Sequence, residues 1–223
     1  VAEPLFHFPD AQGAGDSVYA ITLELTSVDS CVHNLTVNVP IHRRPLAAFS
    51  LPAQGCSPQT VTPSDSSVGT NLSYQWRVTP SAGVSITGST TSAPTIDFPL
   101  TTSDSSLYTI TLVLVNSFGC TDSLSQDFTV YPKPTAAFSF APADSCGPLT
   151  LTFSNQSFSG QSGIGRNSMS FSWDFGNGLS STDSLPTVTF TNSGTVDSVY
   201  IIRLIATNPF GCSDTLVDSV TVH

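Results

Sequence analysis

The feature that most constrains this chain is an internal repeat of about 90 residues within its 223. Three segments share the pattern Asp/Ser-Ser-Val/Leu-Tyr-x-Ile-x-Leu, and their tyrosines lie 89 and 92 residues apart. These tyrosines are Tyr19, Tyr108 and Tyr200. A cysteine follows each of them after 12 residues, at Cys31, Cys120 and Cys212. Agreement at this many positions indicates a duplicated structural unit.

A second set of matches defines where each unit begins. Pro45-Leu-Ala-Ala-Phe-Ser recurs 89 residues later as Pro134-Thr-Ala-Ala-Phe-Ser, and Cys56 and Cys146 follow 90 residues apart. We therefore divide the chain into residues 1–44, 45–133 and 134–223. Residues 1–44 match only the back half of a unit, and we expect the chain to be a piece of a longer repeat protein.

The pattern inside each unit predicts an all-β fold. Six or seven short runs of alternating apolar and polar residues are separated by Gly, Pro, Asn and Asp, and no helical period is present. That pattern is typical of an immunoglobulin-like β-sandwich. The linker Tyr131-Pro-Lys-Pro134 is short and stiffened by proline, so we expect tandem sandwiches arranged end to end as a rod.

The last unit contains the motif Trp173-Asp-Phe-Gly-Asn-Gly178, followed by the Tyr200 strand and by Pro209-Phe-Gly-Cys212. With these features it resembles, along its whole length, the PKD domain family (polycystic-kidney-disease-type β-sandwich). The middle unit is degenerate, with Tyr74-Gln-Trp76 in place of the motif. Such tandem domains occur in secreted, surface and gliding-associated proteins of Bacteroidetes-type bacteria. The resemblance implies non-catalytic spacers, adhesive rods or accessory modules.

The aromatic residues of the repeat are expected to be structural. Trp173 lies in a strand of alternating residues, which favours an inward ring over an exposed platform for stacking a sugar. We assign the same role to Trp76 and to the three repeat tyrosines Tyr19, Tyr108 and Tyr200.

Five cysteines at fixed offsets in a lysine-poor chain predict disulfides and an oxidising compartment. Without Cys-x-x-Cys or His pairs, a zinc site is disfavoured. The simple interpretation pairs cysteines within each unit, Cys56 with Cys120 and Cys146 with Cys212. In a sandwich, however, those loops lie at opposite ends, farther apart than a disulfide can reach. We therefore prefer Cys56–Cys212 across the junction between units, with Cys31, Cys120 and Cys146 bonded to units outside these residues.

No catalytic arrangement can be named from the sequence. The four histidines (His7, His33, His42 and His223) stand near no nucleophile motif, and only two glutamates, Glu3 and Glu24, are present. Asp174 and Asn177 could hold calcium, but capping of a turn explains them better. We expect no enzyme activity, no cofactor and no bound metal.

Charge and hydropathy exclude two classes of partner. The net charge of −10, with six basic residues, disfavours nucleic acid binding. No apolar run is long enough for a membrane-spanning helix, so we expect no membrane insertion in this segment.

Six Asp-Ser or Asp-Thr pairs are followed by an aliphatic residue, which is similar to the acceptor triplet of bacterial O-glycosylation. The acceptors would be Ser17, Ser123, Ser184, Ser198, Thr215 and Ser219. The competing interpretation is that Asp-Ser opens strands through Asx-type turns. The Asn-x-Ser/Thr sequences at Asn34, Asn71 and Asn155 are expected by chance in a chain so rich in Ser and Thr.

Together these features predict a structural or adhesive stalk segment of a large secreted or cell-surface protein. It would be part of an adhesin or filament, with a gliding-associated role, located outside the cell. Its partners would be neighbouring repeats of the same chain, with surface glycans or other surface proteins as further candidates. Within the stalk, the exposed loop of residues 81–95 is where a recognition site would be expected. The alternative is a carbohydrate- or protein-binding accessory module of a secreted multidomain hydrolase, which requires exposed aromatic residues on one sheet face.

Overall fold

The computed structural model describes residues 3–8, 16–99 and 104–223. It is an all-β structure in which the described part contains one short 3₁₀ turn, Arg166–Ser168. Within the described residues no helix is long and apolar enough to cross a membrane.

In the described residues, twenty strands follow the repeat. Residues 16–44 contain β1 (Ser17–Thr26) and β2 (Val32–Ile41). Residues 45–133 contain β3 (Phe49–Ser50), β4 (Gln54–Cys56), β5 (Gln59–Val61), β6 (Ser64–Asp65), β7 (Ser73–Thr79), β8 (Ser85–Thr87), β9 (Thr95–Phe98), β10 (Ser106–Val115) and β11 (Thr121–Tyr131). Residues 134–223 contain β12 (Phe138–Ser139), β13 (Asp144–Ser145), β14 (Leu149–Thr152), β15 (Ser154–Asn155), β16 (Ser170–Asp174), β17 (Ser180–Ser181), β18 (Thr187–Phe190), β19 (Ser198–Thr207) and β20 (Ser213–Val222).

Each unit is organised around one long antiparallel hairpin. β10 pairs with β11 over its full length and on its other side with β7, and β19 lies in the same way between β20 and β16. Because successive side chains of a strand point to opposite faces, Ile110, Leu112 and Leu114 all point inward and are fully buried. This is the alternation seen in the sequence.

A second, smaller sheet covers the hairpin sheet in each unit. It is β5-β9-β8 in the middle unit and β14-β18 in the last unit. Ile96 and Phe98 of β9 pack into the same core as β10, which makes each unit a β-sandwich. Short parallel strands, β4 beside β11 and β13 beside β20, extend the hairpin sheet at its edge.

The buried side chains of the described residues form two separate cores. One lies within residues 47–130 and includes Trp76, and the other lies within residues 136–222 and includes Trp173. Both indoles are inward and nearly inaccessible to solvent, and each donates its Nε1–H to a loop carbonyl, of Thr91 and Asp183 respectively. The all-β sandwich fold expected from the sequence is therefore present.

The repeat tyrosines do not all have the buried position expected for them. Tyr108 of β10 is buried and packs against Phe98, whereas Tyr19 and Tyr200 are only half-buried. Tyr200 packs against Phe190 and directs its hydroxyl outward, where it donates to the carbonyl of Thr191 at 2.6 Å. A phenol near the sandwich rim places its ring on the core and its polar end at the surface.

The first hairpin, β1–β2, has the same register as the others but no sandwich around it in the described residues. Apolar side chains that are buried at the matching positions of the two complete units are largely exposed here. Leu23 and Leu25 are 53% and 56% exposed, whereas their counterparts in β10, Leu112 and Leu114, are inaccessible.

We expect Phe153→Ala to destabilise the last unit by about 3–5 kcal/mol, because the ring contacts several others in the core and its removal leaves a cavity. The protein has one tryptophan in each core, so guanidinium unfolding followed by fluorescence in a Trp76→Phe background reports the last unit alone. Phe158→Ala is the matched control, since that ring is 50% exposed and should cost little. Equal effects of the two substitutions would contradict the assigned core.

Candidate functional site: the junctions between units

The middle and last units are joined by a disulfide. Cys56 and Cys212 are bonded with their Cα atoms 5.5 Å apart, which is within the ordinary range. Cys56 ends β4 and lies in parallel register beside Tyr131, the last residue of β11. Cys212 lies in the turn between β19 and β20. The bond therefore connects the far end of one unit to the hairpin tip of the next.

Two aromatic rings stack beside this bond. Tyr131 and Phe210 face each other with centroids 3.9 Å apart and planes 10° apart. Each ring is adjacent to one of the bonded cysteines, so the stack and the disulfide hold the same two chain segments together. Such a pair contributes about 0.5–1.5 kcal/mol beyond the area it buries.

Asn208 links the hairpin turn to the linker between the units. Its Oδ1 accepts hydrogen bonds from the N–H groups of Phe210 and Cys212, at 3.1 and 3.0 Å, which shapes the turn. Its Nδ2 donates to the carbonyl of Pro132 at 3.1 Å and to that of Ser159 at 3.2 Å. Because Asn208 is buried, these partners replace the water that the amide would otherwise bind.

A carboxylate just after the hairpin turn completes the junction. Asp214 accepts a hydrogen bond from the N–H of Ala136 at 2.9 Å and forms an ion pair with Lys133 at 3.3 Å. Partial burial raises the pKa of Asp214, but the hydrogen bonds from Ala136 and Lys133 outweigh it, so the net pKa lies below the ordinary value.

The junction between the first hairpin and the middle unit repeats the ring stack and the asparagine, without a disulfide in the described residues. His42, at the position of Tyr131, stacks on Phe118 with centroids 3.4 Å apart and planes 5° apart. Asn116 accepts hydrogen bonds from Phe118 and Cys120 and donates to the carbonyl of Arg43 at 2.9 Å. Because the ring stack and the asparagine contact occur twice in one chain, they indicate a specific interface between units.

At this first junction Asp16, which precedes β1, binds the two residues that follow β2. Its carboxylate lies 2.7 Å from Nδ1 of His42 and accepts the N–H of Arg43 at 2.9 Å. The hydrogen bond from Arg43 and the one from His42 lower the pKa of Asp16. The imidazole is therefore oriented for its stack on Phe118 by a charged acceptor.

The remaining cysteines are not paired in the described part of the chain. Cys31 and Cys146 are exposed and Cys120 is partly exposed. The within-unit pairs Cys56–Cys120 and Cys146–Cys212 are absent, since Cys56 and Cys212 are bonded to each other. Cys120 occupies the same place in its hairpin as Cys212, and Cys146 the same place beside its strand as Cys56.

The two candidate calcium ligands have structural partners. Oδ1 of Asp174 accepts the N–H of Gly176 at 3.0 Å, and Oδ1 of Asn177 accepts the N–H of Leu179 at 3.1 Å. Both side chains thus cap the turn that follows the Trp173 strand. Among the described residues no group of three His, Cys, Asp or Glu side chains is placed to hold a metal ion.

The six candidate glycosylation residues lie at the surface. Ser123, Ser184, Thr215 and Ser219 are exposed, and Ser17 and Ser198 are half-buried. Several of the preceding aspartates have structural roles: Asp122 accepts the N–H of Ala47 at 2.7 Å, as Asp214 does for Ala136. These contacts account for part of the Asp-Ser/Thr pattern without any modification.

Most residues of the loop at 81–95 are exposed, as expected, but the loop is not irregular throughout. It contains β8, which pairs with β9, and the carbonyl of Thr91 accepts the indole N–H of Trp76. This loop therefore serves as a cover for the core of the middle unit.

Sequence reasoning missed Asn116 and Asn208. The signal was available, because Asn-x-Phe-Gly-Cys occurs at 116–120 and at 208–212. The phenylalanine, glycine and cysteine served as landmarks of the repeat, but a lone asparagine in a turn is too common to be assigned a role in an interface.

Comparison with known proteins gives partial structural likenesses. No family model and no curated protein sequence matches the chain. The PKD1 domain of the Vibrio cholerae metalloprotease PrtV is 30% identical over 40% of this chain and 96% of its own, with a TM-score of 0.32. The PKD1 domain of Vibrio anguillarum Epp is 25% identical over 41% and 94%, with a TM-score of 0.32. Fibronectin(III)-like modules of Clostridium thermocellum CbhA are 13% identical over 79% and 93%, with a TM-score of 0.41.

Peptide mapping without reduction tests the disulfide. After trypsin digestion of the denatured, alkylated protein, peptide 44–77 should be recovered bonded to peptide 204–223. A bond within the middle unit would instead join 44–77 to 78–166, and a bond within the last unit would join 78–166 to 204–223. The three pairings thus give three different masses, and either of the last two would contradict the junction.

The lowered pKa of Asp214 predicts a dependence on pH. A carboxylate whose folded pKa is depressed contributes stability above its unfolded value, and this contribution is lost as the pH falls through the folded pKa. We expect Asp214→Asn to lower the free energy of unfolding in urea at pH 7, and the difference from wild type to shrink toward pH 2. Asp218→Asn is the control, because among the described residues that exposed carboxylate accepts just the N–H of its neighbour Ser219. A difference that stays constant with pH would contradict the assigned role.

Proposed function

We propose that this chain is a structural stalk segment of a large secreted or cell-surface protein. Residues 45–133 and 134–223 act as two PKD-like sandwiches stacked end to end, and residues 1–44 supply the last two strands of another such unit. The segment carries no chemistry of its own and serves to hold other parts of the protein at a distance or to form an adhesive filament.

The observation that carries the proposal is the repeated junction. The stack of His42 on Phe118 and the stack of Tyr131 on Phe210 occupy matching positions, each with an asparagine that binds the linker. A flexible string of domains has no need of such contacts. Their repetition is what a rod requires, because every joint of a rod must resist bending.

The disulfide determines how the segment responds to tension. A force applied to the two ends of the chain passes from Cys56 directly to Cys212, which are 156 residues apart in sequence. The chain between them lies in a closed loop and cannot lengthen, even if both cores unfold. The covalent path therefore bypasses most of both cores; Ala47 and Phe49 of one core and Val220 and Val222 of the other lie outside the loop.

The surface chemistry supports a place outside the cell. A disulfide persists in oxidising compartments, and the net charge of −10 with few lysines disfavours association with other acidic surfaces. Within this proposal the finer assignments are a gliding-associated adhesin or filament of a Bacteroidetes-type bacterium, with neighbouring repeats and surface glycans or proteins as partners. O-glycosylation of the exposed Asp-Ser and Asp-Thr sites would add an extended hydrated coat. If the intact mass of natively produced protein equals that of the bare polypeptide, the O-glycosylation is rejected.

Single-molecule stretching tests the stalk function. With the disulfide intact, full extension should fall short of that of a Cys56→Ser/Cys212→Ser variant by on the order of 500 Å, since 156 residues at roughly 3.3–3.6 Å each stay enclosed. The matched control is Cys120→Ser/Cys146→Ser, which should extend no farther than wild type because neither cysteine is in the bond.

Two results would contradict the proposal. One is an equal extension of wild type and the Cys56→Ser/Cys212→Ser variant under non-reducing conditions. The other is small-angle scattering from the oxidised protein that shows a compact particle in place of two units in line. Specific binding of the whole chain to a polysaccharide in a pull-down would instead favour the accessory-module alternative.

A further inference from the structure

The last unit carries, at its C-terminal face, a cysteine and an aromatic ring at the same positions that the middle unit uses to bind its neighbour. We call this set the socket: in the middle unit it is Cys56 and Tyr131, and in the last unit Cys146 and His223. The hairpin that enters a socket is the plug, defined by Asn208, Phe210 and Cys212. The socket of the last unit has no plug within the described residues.

The backbone of the two sockets is built alike. β4 runs parallel to β11, so that Cys56 lies beside Tyr131. β13 runs parallel to β20 in the same way, with Ser145 paired to Val222, so that the next residues, Cys146 and His223, are also adjacent. The residue after each cysteine donates its N–H to the ring-bearing residue, Ser57 to Tyr131 at 2.8 Å and Gly147 to His223 at 3.2 Å.

The ring of His223 is held in place by two carboxylates. Its Nδ1 lies 2.9 Å from Asp197 and its Nε2 lies 2.5 Å from Asp144. These hydrogen bonds, that to Asp197 foremost, raise the pKa of His223 above its ordinary value. Asp197 corresponds to Asp16, which orients His42 in the same way.

His42 shows what such a histidine binds. At the first junction its ring stacks on Phe118 of the following hairpin. A planar imidazole packs face to face against a phenyl ring. His223 therefore has the position, the carboxylate support and the ring type of a residue whose partner is a hairpin phenylalanine.

We propose that the socket of the last unit binds the plug of a further unit, a hairpin with the sequence Asn-x-Phe-Gly-Cys. The phenylalanine of the plug stacks on His223, and its cysteine forms a disulfide with Cys146. The asparagine of the plug donates to the carbonyl of the residue that follows His223 in the chain. This inference rests on the proposed stalk function and names the partner and the residues that receive it.

Closing the bond requires an oxidant. The two thiols lose two protons and two electrons to a thiol–disulfide oxidant such as oxidised glutathione, which is reduced to two glutathione thiols. Because Cys146 is exposed and lies at the edge of β13, both the oxidant and the incoming thiol reach it.

The new bond would overlap the existing one. Cys146 lies inside the loop closed by Cys56 and Cys212, and its partner would lie outside that loop, in the next unit. Successive disulfides would therefore interlock, each spanning two units. Under tension only the short stretches between one hairpin cysteine and the next socket cysteine would lengthen.

The test extends the chain by one plug. A second copy of residues 132–223 is attached directly after His223, which reproduces the three-residue linker, and the protein is oxidised in a glutathione buffer. We expect alkylation of Cys146 to fall at least about tenfold relative to the 223-residue chain, because the tethered thiol has a high effective concentration. Tryptic mapping should give peptide 78–166 bonded to the C-terminal peptide of the added copy, and peptide 44–77 bonded to the peptide that bridges the two copies.

Matched variants separate a specific fit from proximity alone. Replacing Phe210 by Ala in the added copy only should slow closure of the Cys146 bond, whereas Phe158→Ala in that copy should leave it unchanged. A second extension, with residues 43–131 attached after His223, presents the other natural plug, Asn116 to Cys120, and should also protect Cys146.

The outcomes distinguish this inference from the function on which it rests. If Cys146 remains fully alkylated in both extended chains while Cys56–Cys212 forms, the socket assignment is wrong but the stalk function stands. If the oxidised 223-residue chain also lacks the Cys56–Cys212 bond or is compact in solution, the stalk function fails first. Closure that is equally fast with Phe210→Ala in the added copy would overturn the role given to His223.

Discussion

The structure depends on one asparagine in the turn of the long hairpin of each complete unit. Its side-chain oxygen closes the turn, and its side-chain nitrogen binds the linker that enters the unit. The two strands that leave this turn build the core, and the turn itself holds the cysteine and phenylalanine of the junction. One buried amide thereby fixes the position of the preceding unit relative to the core of its own unit.

The first hairpin shows what changes when this amide is missing. Its turn has Ser27 at the position of Asn116, and the hydroxyl oxygen still accepts the N–H groups of Asp29 and Cys31. Ser30 adopts a positive φ of 65°, close to the 80° of Gly119 at the matching position, so the turn keeps its shape at some conformational cost. The serine side chain lacks the amide nitrogen with which Asn116 binds the linker. At the position of Phe118 the first hairpin has Asp29. The turn is conserved in form, but it lacks two of the three groups of a plug.

Much of the fold followed from the sequence because its determinants are local. Alternation of apolar residues locates the long strands, and the repeat transfers each assignment from one unit to another, as with Leu112 and Leu204. The half-buried positions of Tyr19 and Tyr200 did not follow, because periodicity gives the side of a sheet but not the distance from its rim. The turn-capping roles of Asp174 and Asn177 could be anticipated, since Asx turns involve only neighbouring residues.

The junction was harder to predict because it depends on how two units meet. Spacing alone leaves several pairings of five cysteines, and only the position of each loop in the sandwich favours Cys56 with Cys212. The stacked rings illustrate the limit: the 89-residue offset of the repeat aligns His42 with Tyr131, but one residue is basic and the other phenolic, so the alignment does not predict a shared role. Their equivalence follows from the last strand of each unit, which brings a flat ring to the same place beside the linker. This position requires a planar ring that faces the phenylalanine of the next hairpin, and both the imidazole of His42 and the phenol of Tyr131 meet that requirement.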